Sequence, residues 1–387
     1  MLLIHAKLYT MEGDVIPDGF LQTQGSVIQA LGPMEQAPQW DDETIDVQGR
    51  AVYPGFVDAH THLGMFEDSL TFEGDDGNED TDPVTPHLRA IDAVNPMDRC
   101  FGEALAAGVT TVITGPGSAN PIAGQMAAIK TAGRRIDKML VQAPVAMKFA
   151  MGENPKNVYH GKNQMPVTRM ATAALIREQL QKAKRYLLDK EKAEHAPEDE
   201  EVDLPEYDAK CEALLPVLRK EIPAHFHAHR ADDIFTAIRI AKEFDIHYVI
   251  VHGTEGHLIA DELAQEGAGV LTGPFLCDRS KPELHNLTPA NPGSLAKAGV
   301  CTAIITDHPV IPLQYLPVCA ALAVREGMDP QEALRAITIN PARICGIDHR
   351  VGSLRPGKDA DFSVFDEDPL QLPAKPWMVV CNGNRVI

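Results

Sequence analysis

Apolar and polar positions follow two different patterns along this chain. Between residues 54 and 349, short apolar runs rich in β-branched residues alternate with longer stretches of helical period. The runs at 55–60, 109–114, 139–152, 223–228, 247–252, 268–272 and 301–306 predict strands. The stretches 97–107, 121–132, 168–190, 208–220, 231–244, 312–326 and 330–337 predict helices. Such alternation is the signature of βαβ units around a parallel sheet. Seven strands are predicted where a closed (β/α)8 TIM-type barrel needs eight. The eighth is expected between 153 and 222, a stretch that reads helical and charged, so the barrel is expected to be distorted around strand 4. An open, doubly wound sheet is the competing fold.

The two ends are patterned differently. Short β-rich pieces at 2–9, 19–24, 26–31 and 51–53 are separated by turns, and similar pieces return at 361–365 and 377–383. Chain termini often lie close together, and the two ends are expected to pair into one small β-sandwich. The predicted organisation is 1–53 as the first part of that sandwich, 54–349 as the barrel and 350–387 as the second part. Two acidic stretches interrupt the barrel. Residues 190–205 read as an exposed, mobile excursion. Residues Glu67 to Asp82 read as a solvated loop or as a lid over the strand end that they follow.

Composition narrows the function classes. The chain has 387 residues, 44 % of them hydrophobic, enough for a large core. A net charge of −20 argues against nucleic-acid binding, which needs a basic footprint. No apolar run approaches the roughly 18 residues of a membrane span, and Met1 to Thr10 lacks the features of a secretion signal. The seven cysteines form no Cys-x-x-Cys pair, as expected of reduced thiols in a cytoplasmic protein.

Candidate chemistry lies at the ends of the predicted strands. Pro54-Gly55-Phe56-Val57-Asp58-Ala59-His60-Thr61-His62 runs an apolar strand into two histidines on one face, which can chelate one divalent ion. His225, His227 and His229 alternate at the end of a second strand, and each buried imidazole there needs a partner. Tyr248 to His252 is a buried strand ending in histidine. Cys301 to Asp307 ends in an acid that packing does not explain; its carboxylate can bind metal and take a proton from activated water. Active sites of α/β barrels gather at such C-terminal strand ends. Arg230 could clamp a substrate carboxylate, or be an ordinary surface arginine. A closed structural zinc site is disfavoured, since it would draw on clustered cysteines.

These residues resemble the amidohydrolase superfamily, in particular its imidazolonepropionase-like branch and the related dipeptidases. The resemblance covers nearly the whole chain. It is carried by the Pro54–His62 segment, by Thr338-Ile339-Asn340-Pro341-Ala342 and by the run from Gly352 to Phe362. It implies a metal-bearing (β/α)8 barrel with a β-sandwich built from both termini. It implies that His60 and His62 bind the more buried metal, that His227 and His252 are ligands on the fifth and sixth strands, and that Asp307 sits on the eighth. Binuclear relatives bridge two metals with a carboxylated lysine on the fourth strand, and Lys148 is the candidate. Its strand counts as third here, and other members use a third-strand glutamate. Glu153 is therefore the expected ligand, with Lys148, His229, Arg230 and His257 as expected substrate contacts.

The expected function is metal-dependent hydrolysis of a C–N bond in a cyclic amide or dipeptide-like small molecule. One or two divalent ions, zinc above all, activate water; Asp307 is the general base, and His252 or His257 helps to stabilise the oxyanion. A deaminase of a nitrogen heterocycle is the second reading, and a non-catalytic metal-binding protein on the same fold is the third. A homo-oligomer is expected, with no membrane or nucleic-acid partner.

Overall fold

The computed structural model describes residues 1–40, 42–68, 70–197, 202–372 and 374–387. Two eight-stranded sheets organise them. The first follows chain order: β1 (Phe56–Thr61), β2 (Val109–Thr114), β3 (Ile122–Lys130), β4 (Leu140–Ala150), β5 (Ala224–Ala228), β6 (Tyr248–His252), β7 (Gly269–Thr272) and β8 (Thr302–Ile304). The sheet curls until its edges nearly meet. His62 N–H donates to the His308 carbonyl at 2.8 Å, and Ile304 and Val57 N–H donate to the Ala336 and Ile337 carbonyls, each at 2.9 Å. Asp58 clasps the two edges: its Oδ2 accepts from the Thr306 amide at 3.0 Å and the Thr306 hydroxyl at 2.6 Å. The result is an α/β fold around a nearly closed barrel sheet.

One expected helix is a strand. Residues 121–132 form β3, which runs antiparallel to both β2 and β4. The segment is alanine-rich and almost wholly buried, so no polar face sets a period, and a buried helix and a buried strand read alike. Tertiary packing decides. Gly124 has φ +143°, outside the helical region, and a Cβ there would lie 2.7 Å from the Leu88 carbonyl oxygen. The eighth strand is therefore found at 122–130. The first helix, α1 (Arg99–Ala106), precedes β2; among the described residues, 153–222 holds helices: α2 (Glu153–Gly161), α3 (Arg169–Glu194) and α4 (Ala209–Leu218). The distortion falls at the third strand, and Lys148 lies on the fourth.

The acidic stretch 190–205 is in part the continuation of α3 to Glu194, while 198–201 lie outside the described residues. With α5 (Ala231–Phe244), α3 and α4 bury Ile176, Leu180, Leu214, Ile234 and Ile238 against Phe149 and Phe226 of the sheet. Side-chain caps start these helices where the sequence offers them. Thr168 accepts from Ala171 N–H, and Asp208 from Lys210 and Cys211 N–H. Among the described residues, no helix is long and apolar enough to cross a membrane.

Both ends of the chain enter the second sheet, in the order 384–385, 376–381, 362–365, 51–54, 2–8, 16–24, 27–33, with 44–46 also on 2–8. Phe362 to Phe365 pairs antiparallel with Ala51 to Pro54. Strand pairing makes one continuous sheet. A buried lysine ties it to the barrel: Lys130 of β3 pairs with Asp359 at 2.8 Å and with Asp361. A second, Lys358, braces the connecting segment from within by donating to the Ser353 hydroxyl at 2.6 Å. The Gly352–Phe362 segment thus works as the seam between the two sheets.

Candidate active site

The C-terminal ends of β1, β5, β6 and β8 bring six ligand-type side chains together in two groups: His60, His62 and Asp307; and His227, His229 and His252. In the first, Asp307 Oδ1 lies 3.4 Å from His60 Nε2 and 3.3 Å from His62 Nε2. In the second, the ring centroids of His227 and His252 are 4.4 Å apart, and those of His229 and His252 4.5 Å apart. The groups adjoin, with 5.5 Å between the His60 and His252 rings. Both carriers at the strand ends leave strand geometry: His252 has φ 73° and Asp307 φ 54°. Left-handed backbone at a non-glycine residue costs about 1–3 kcal/mol and concentrates at functional sites.

Hydrogen bonds to the outer ring nitrogens orient the imidazoles. His62 Nδ1 donates to the Gly115 carbonyl and His252 Nδ1 to the Gly273 carbonyl, both at 2.7 Å. A carbonyl only accepts, so the Nε2 lone pairs of His62 and His252 face inward. His227 Nδ1 meets the Ser118 hydroxyl at 2.9 Å, and His229 Nδ1 the Thr254 hydroxyl at 2.7 Å. Burial, helped by neighbouring imidazoles and lysines, holds His227 and His229 well below the usual histidine range, and it lowers His252 to about 4. All three are neutral near pH 7, the form that ligates metal. Although burial would raise Asp307, contact with His252, His60 and His62 holds its carboxyl well below the usual range. It is a carboxylate.

Lys148 of β4 is fully buried, and its Nζ is 3.1 Å from His60 Nε2. Burial lowers its amine to about 8. Glu153 is placed otherwise than expected. It opens α2 on the far side of Gly152, its Oε1 accepts from Asn157 at 3.3 Å and its Oε2 from the Glu283 N–H at 3.3 Å. It joins neither group of ligands, because its strand is the fourth and Lys148 already occupies the inward position. Arg230 is turned away as well: it forms a bidentate pair with Asp232 at 2.9 and 2.8 Å and is partly exposed. His257 lies on the turn after β6, where its N–H donates to Asn291, and it is in neither group. His225, the first of the alternating three, is fully buried one register step below His227, opposite Lys148.

Glu283 went unnoticed in the sequence. It sits in the loop after β7, and its carboxylate lies 3.6 Å from His229 Nε2 and 4.0 Å from His227 Nε2. Nothing periodic marks it in a loop full of charged residues; the available signal was only its place beyond a strand's C-terminal end. Burial raises its carboxyl to about 7. The acidic loop 67–82 borders the same rim. Phe66 stacks edge-on to His62 at 5.5 Å, and the loop is tethered by Asp80 to Lys162 and Asp82 to Lys210, each at 2.6 Å.

The donor set fits a divalent cation. Imidazole and carboxylate donors 3.3–3.4 Å apart match the edge of a coordination tetrahedron with bonds of about 2.1 Å. His227 Nε2 is buried with no hydrogen-bond partner among the described residues, which is costly unless something else occupies it.

Comparison with known proteins agrees. The amidohydrolase family matches residues 51–387. The amidohydrolase tasK of Hapsidospora irregularis is 30 % identical over a 391-residue alignment that covers 96 % of this chain; the chain spans 39 % of the length of tasK. An imidazolonepropionase of Solibacter usitatus is 26 % identical over 388 residues, covering 92 % of this chain and 86 % of that protein. The crystal structure of an amidohydrolase from Thermotoga maritima MSB8 superposes with a TM-score of 0.95 at 43 % identity, over 100 % of this chain and 99 % of that one.

Proposed function

This chain belongs to the amidohydrolase family, a family of metal-dependent hydrolases of carbon–nitrogen bonds, and from that membership we propose that it hydrolyses a C–N bond of a cyclic amide or dipeptide-like small molecule. The observation that carries the reading is the convergence of His60, His62 and Asp307 with His227, His229 and His252 at one barrel rim. We read the nearly closed sheet as a TIM-type barrel, 54–349, and the shared terminal sheet as its sandwich, 1–53 with 350–387.

A divalent ion bound here, zinc by the match of imidazole and carboxylate donors, supplies a Lewis acid and lowers the pKa of water. His60, His62 and Asp307 would hold one ion, and His227, His229 and His252 a second. Asp307, ionised, accepts the proton of the attacking water and returns it to the leaving nitrogen. His227, His229 and His252 stay neutral, and outer hydrogen bonds fix these three and His62, so the reacting groups meet a preorganised wall rather than mobile water. Lys148, 3.1 Å from His60 Nε2 and lowered to about 8, is the residue that would help to hold the ions in place of Glu153. Its neutral amine can add to carbon dioxide, losing a proton and becoming a carbamate.

The test is metal removal. Protein stripped with a chelator is expected to lose turnover on a panel of cyclic amides, dipeptides and amino-substituted heterocycles, and to regain it with Zn²⁺. Full turnover by the metal-free protein overturns the reading. Free ammonia as product assigns the deaminase chemistry instead.

A further inference from the structure

The second group of ligands has three imidazoles and no carboxylate, yet a carboxylate oxygen stands beside it. Glu283 lies in the short turn Pro282–Leu284 and is 1 % exposed. Its Oε2 accepts from the Glu153 N–H at 3.0 Å, at the N-terminus of α2, where the helix favours negative charge. Its Oε1 is buried and has no hydrogen-bond partner among the described residues. The carboxylate is held in place from two more sides. Lys281 Nζ donates to Asn154 Oδ1 at 2.8 Å, docking the turn on the first turn of α2. Gly152, at φ +80°, leaves the space: a Cβ there would lie 3.0 Å from both Glu283 Oε2 and Asp233 Oδ2.

Two buried polar atoms therefore face each other 4.0 Å apart, Glu283 Oε1 and His227 Nε2, each without a hydrogen-bond partner among the described residues. Such groups are costly to bury, more so when charged, unless a cation lies between them. Spacing tells which cation. Two hydrogen bonds of about 2.9 Å to one tetrahedral nitrogen place their acceptors roughly 4.7 Å apart. Bonds of about 2.0–2.2 Å to a metal place donors roughly 3.3–3.6 Å apart. The observed separations, 3.6 Å to His229 Nε2 and 4.0 Å to His227 Nε2, lie nearer the metal value.

We propose that Glu283, through Oε1, is a ligand to the divalent cation held by the His227, His229 and His252 cluster. Each of two ions would then meet one protein carboxylate, Asp307 for one and Glu283 for the other. The assignment rests on the metal-dependent reading above.

The experiment is a Co²⁺ titration of the metal-free protein, followed by visible absorption and by competition with a chromophoric chelator. The wild type is expected to bind two equivalents. Glu283→Gln is expected to keep one and to bind the other about 100-fold more weakly or not at all, with the same band lost as in His229→Asn and the complementary band lost in His62→Asn. Circular dichroism and melting of each metal-free variant establish folding. If Glu283→Gln fails to fold, Glu283→Asp serves, and a weakened second equivalent is again the expected result. Two equivalents of unchanged affinity and spectrum in the Glu283 variant overturn the assignment, as does a single equivalent in the wild type that the variant retains. A wild type that binds no Co²⁺ overturns the metal-dependent reading itself.

Discussion

Lys130 and Lys148 lie on adjacent strands of one sheet and are equally buried, yet their surroundings have opposite logic. Lys130 faces the seam with the terminal sheet, where Asp361 and Asp359 more than offset the burial that would lower it and raise its pKa. Lys148 faces the barrel rim, where its nearest partner is an imidazole nitrogen and burial lowers it to about 8. The sheet supplies the same low-dielectric setting to both. What differs is the partner: a permanent counter-charge where two sheets must stay joined, and lone pairs awaiting a cation where chemistry is to occur. Burial alone does not tell a structural charge from a functional one; the complement of partners does.

Four variants break or sharpen that contrast. The largest effect is expected from Asp307→Asn at the rim. Turnover should fall by about 10²–10⁴-fold while the melting temperature stays near wild type, and steady-state assays beside calorimetry decide it; retained activity removes Asp307 from the role of base. At the seam, Lys130→Met should cost about 3–5 kcal/mol by stranding the buried Asp361 without a counter-charge, whereas Asp359 keeps Arg350 at 2.8 Å. Denaturant titration reads this, and activity per folded molecule should be unchanged. Lys148→Met should reverse that pattern, with stability within about 1 kcal/mol of wild type, since a buried amine with no carboxylate counter-charge in contact is removed, but with bound metal and turnover lost. If Lys148→Met destabilises as much as Lys130→Met, the distinction drawn between the two sites is wrong.

The smallest effect is expected at the acidic loop. Lys210 outweighs burial and lowers the Asp82 carboxyl, in a pair whose members are both partly exposed. A depressed carboxyl contributes stability above its ordinary value of about 3.8, and that contribution fades as pH falls through the folded-state value. Asp82→Asn should cost no more than about 1 kcal/mol near pH 7 and nothing at the acid end, as melting curves across pH can show.

The strand-end histidines and Asp307 were legible because β-branched runs frame them, so that a polar residue there stands out. Helices such as 231–244 were legible for the same reason, through a clear apolar face. What failed was a segment with no contrast. Residues 122–129 are small or apolar but for Gln125, and their strand is set by neighbours such as Leu88 and by the φ of Gly124. That single misreading moved the strand count by one and, with it, the weight from Lys148 to Glu153. Arg230 was misplaced because its partner, Asp232, is two residues away and satisfies it locally. Glu283, Ser118 and Thr254 reach the rim from loops, whose course no periodicity encodes.

The pairing of 362–365 with 51–54 has a consequence for biosynthesis. Strand 51–54 leaves the ribosome roughly 300 residues before its partner, a wait of about 15–60 s at typical elongation rates. Through that interval one of its edges lacks its eventual neighbour, the condition under which nascent chains recruit chaperones or pair with one another. The two ends of this polypeptide are thus joined in space but separated in time, and yield in the cell should be more sensitive to translation speed and chaperone supply than the stability of the finished molecule would indicate.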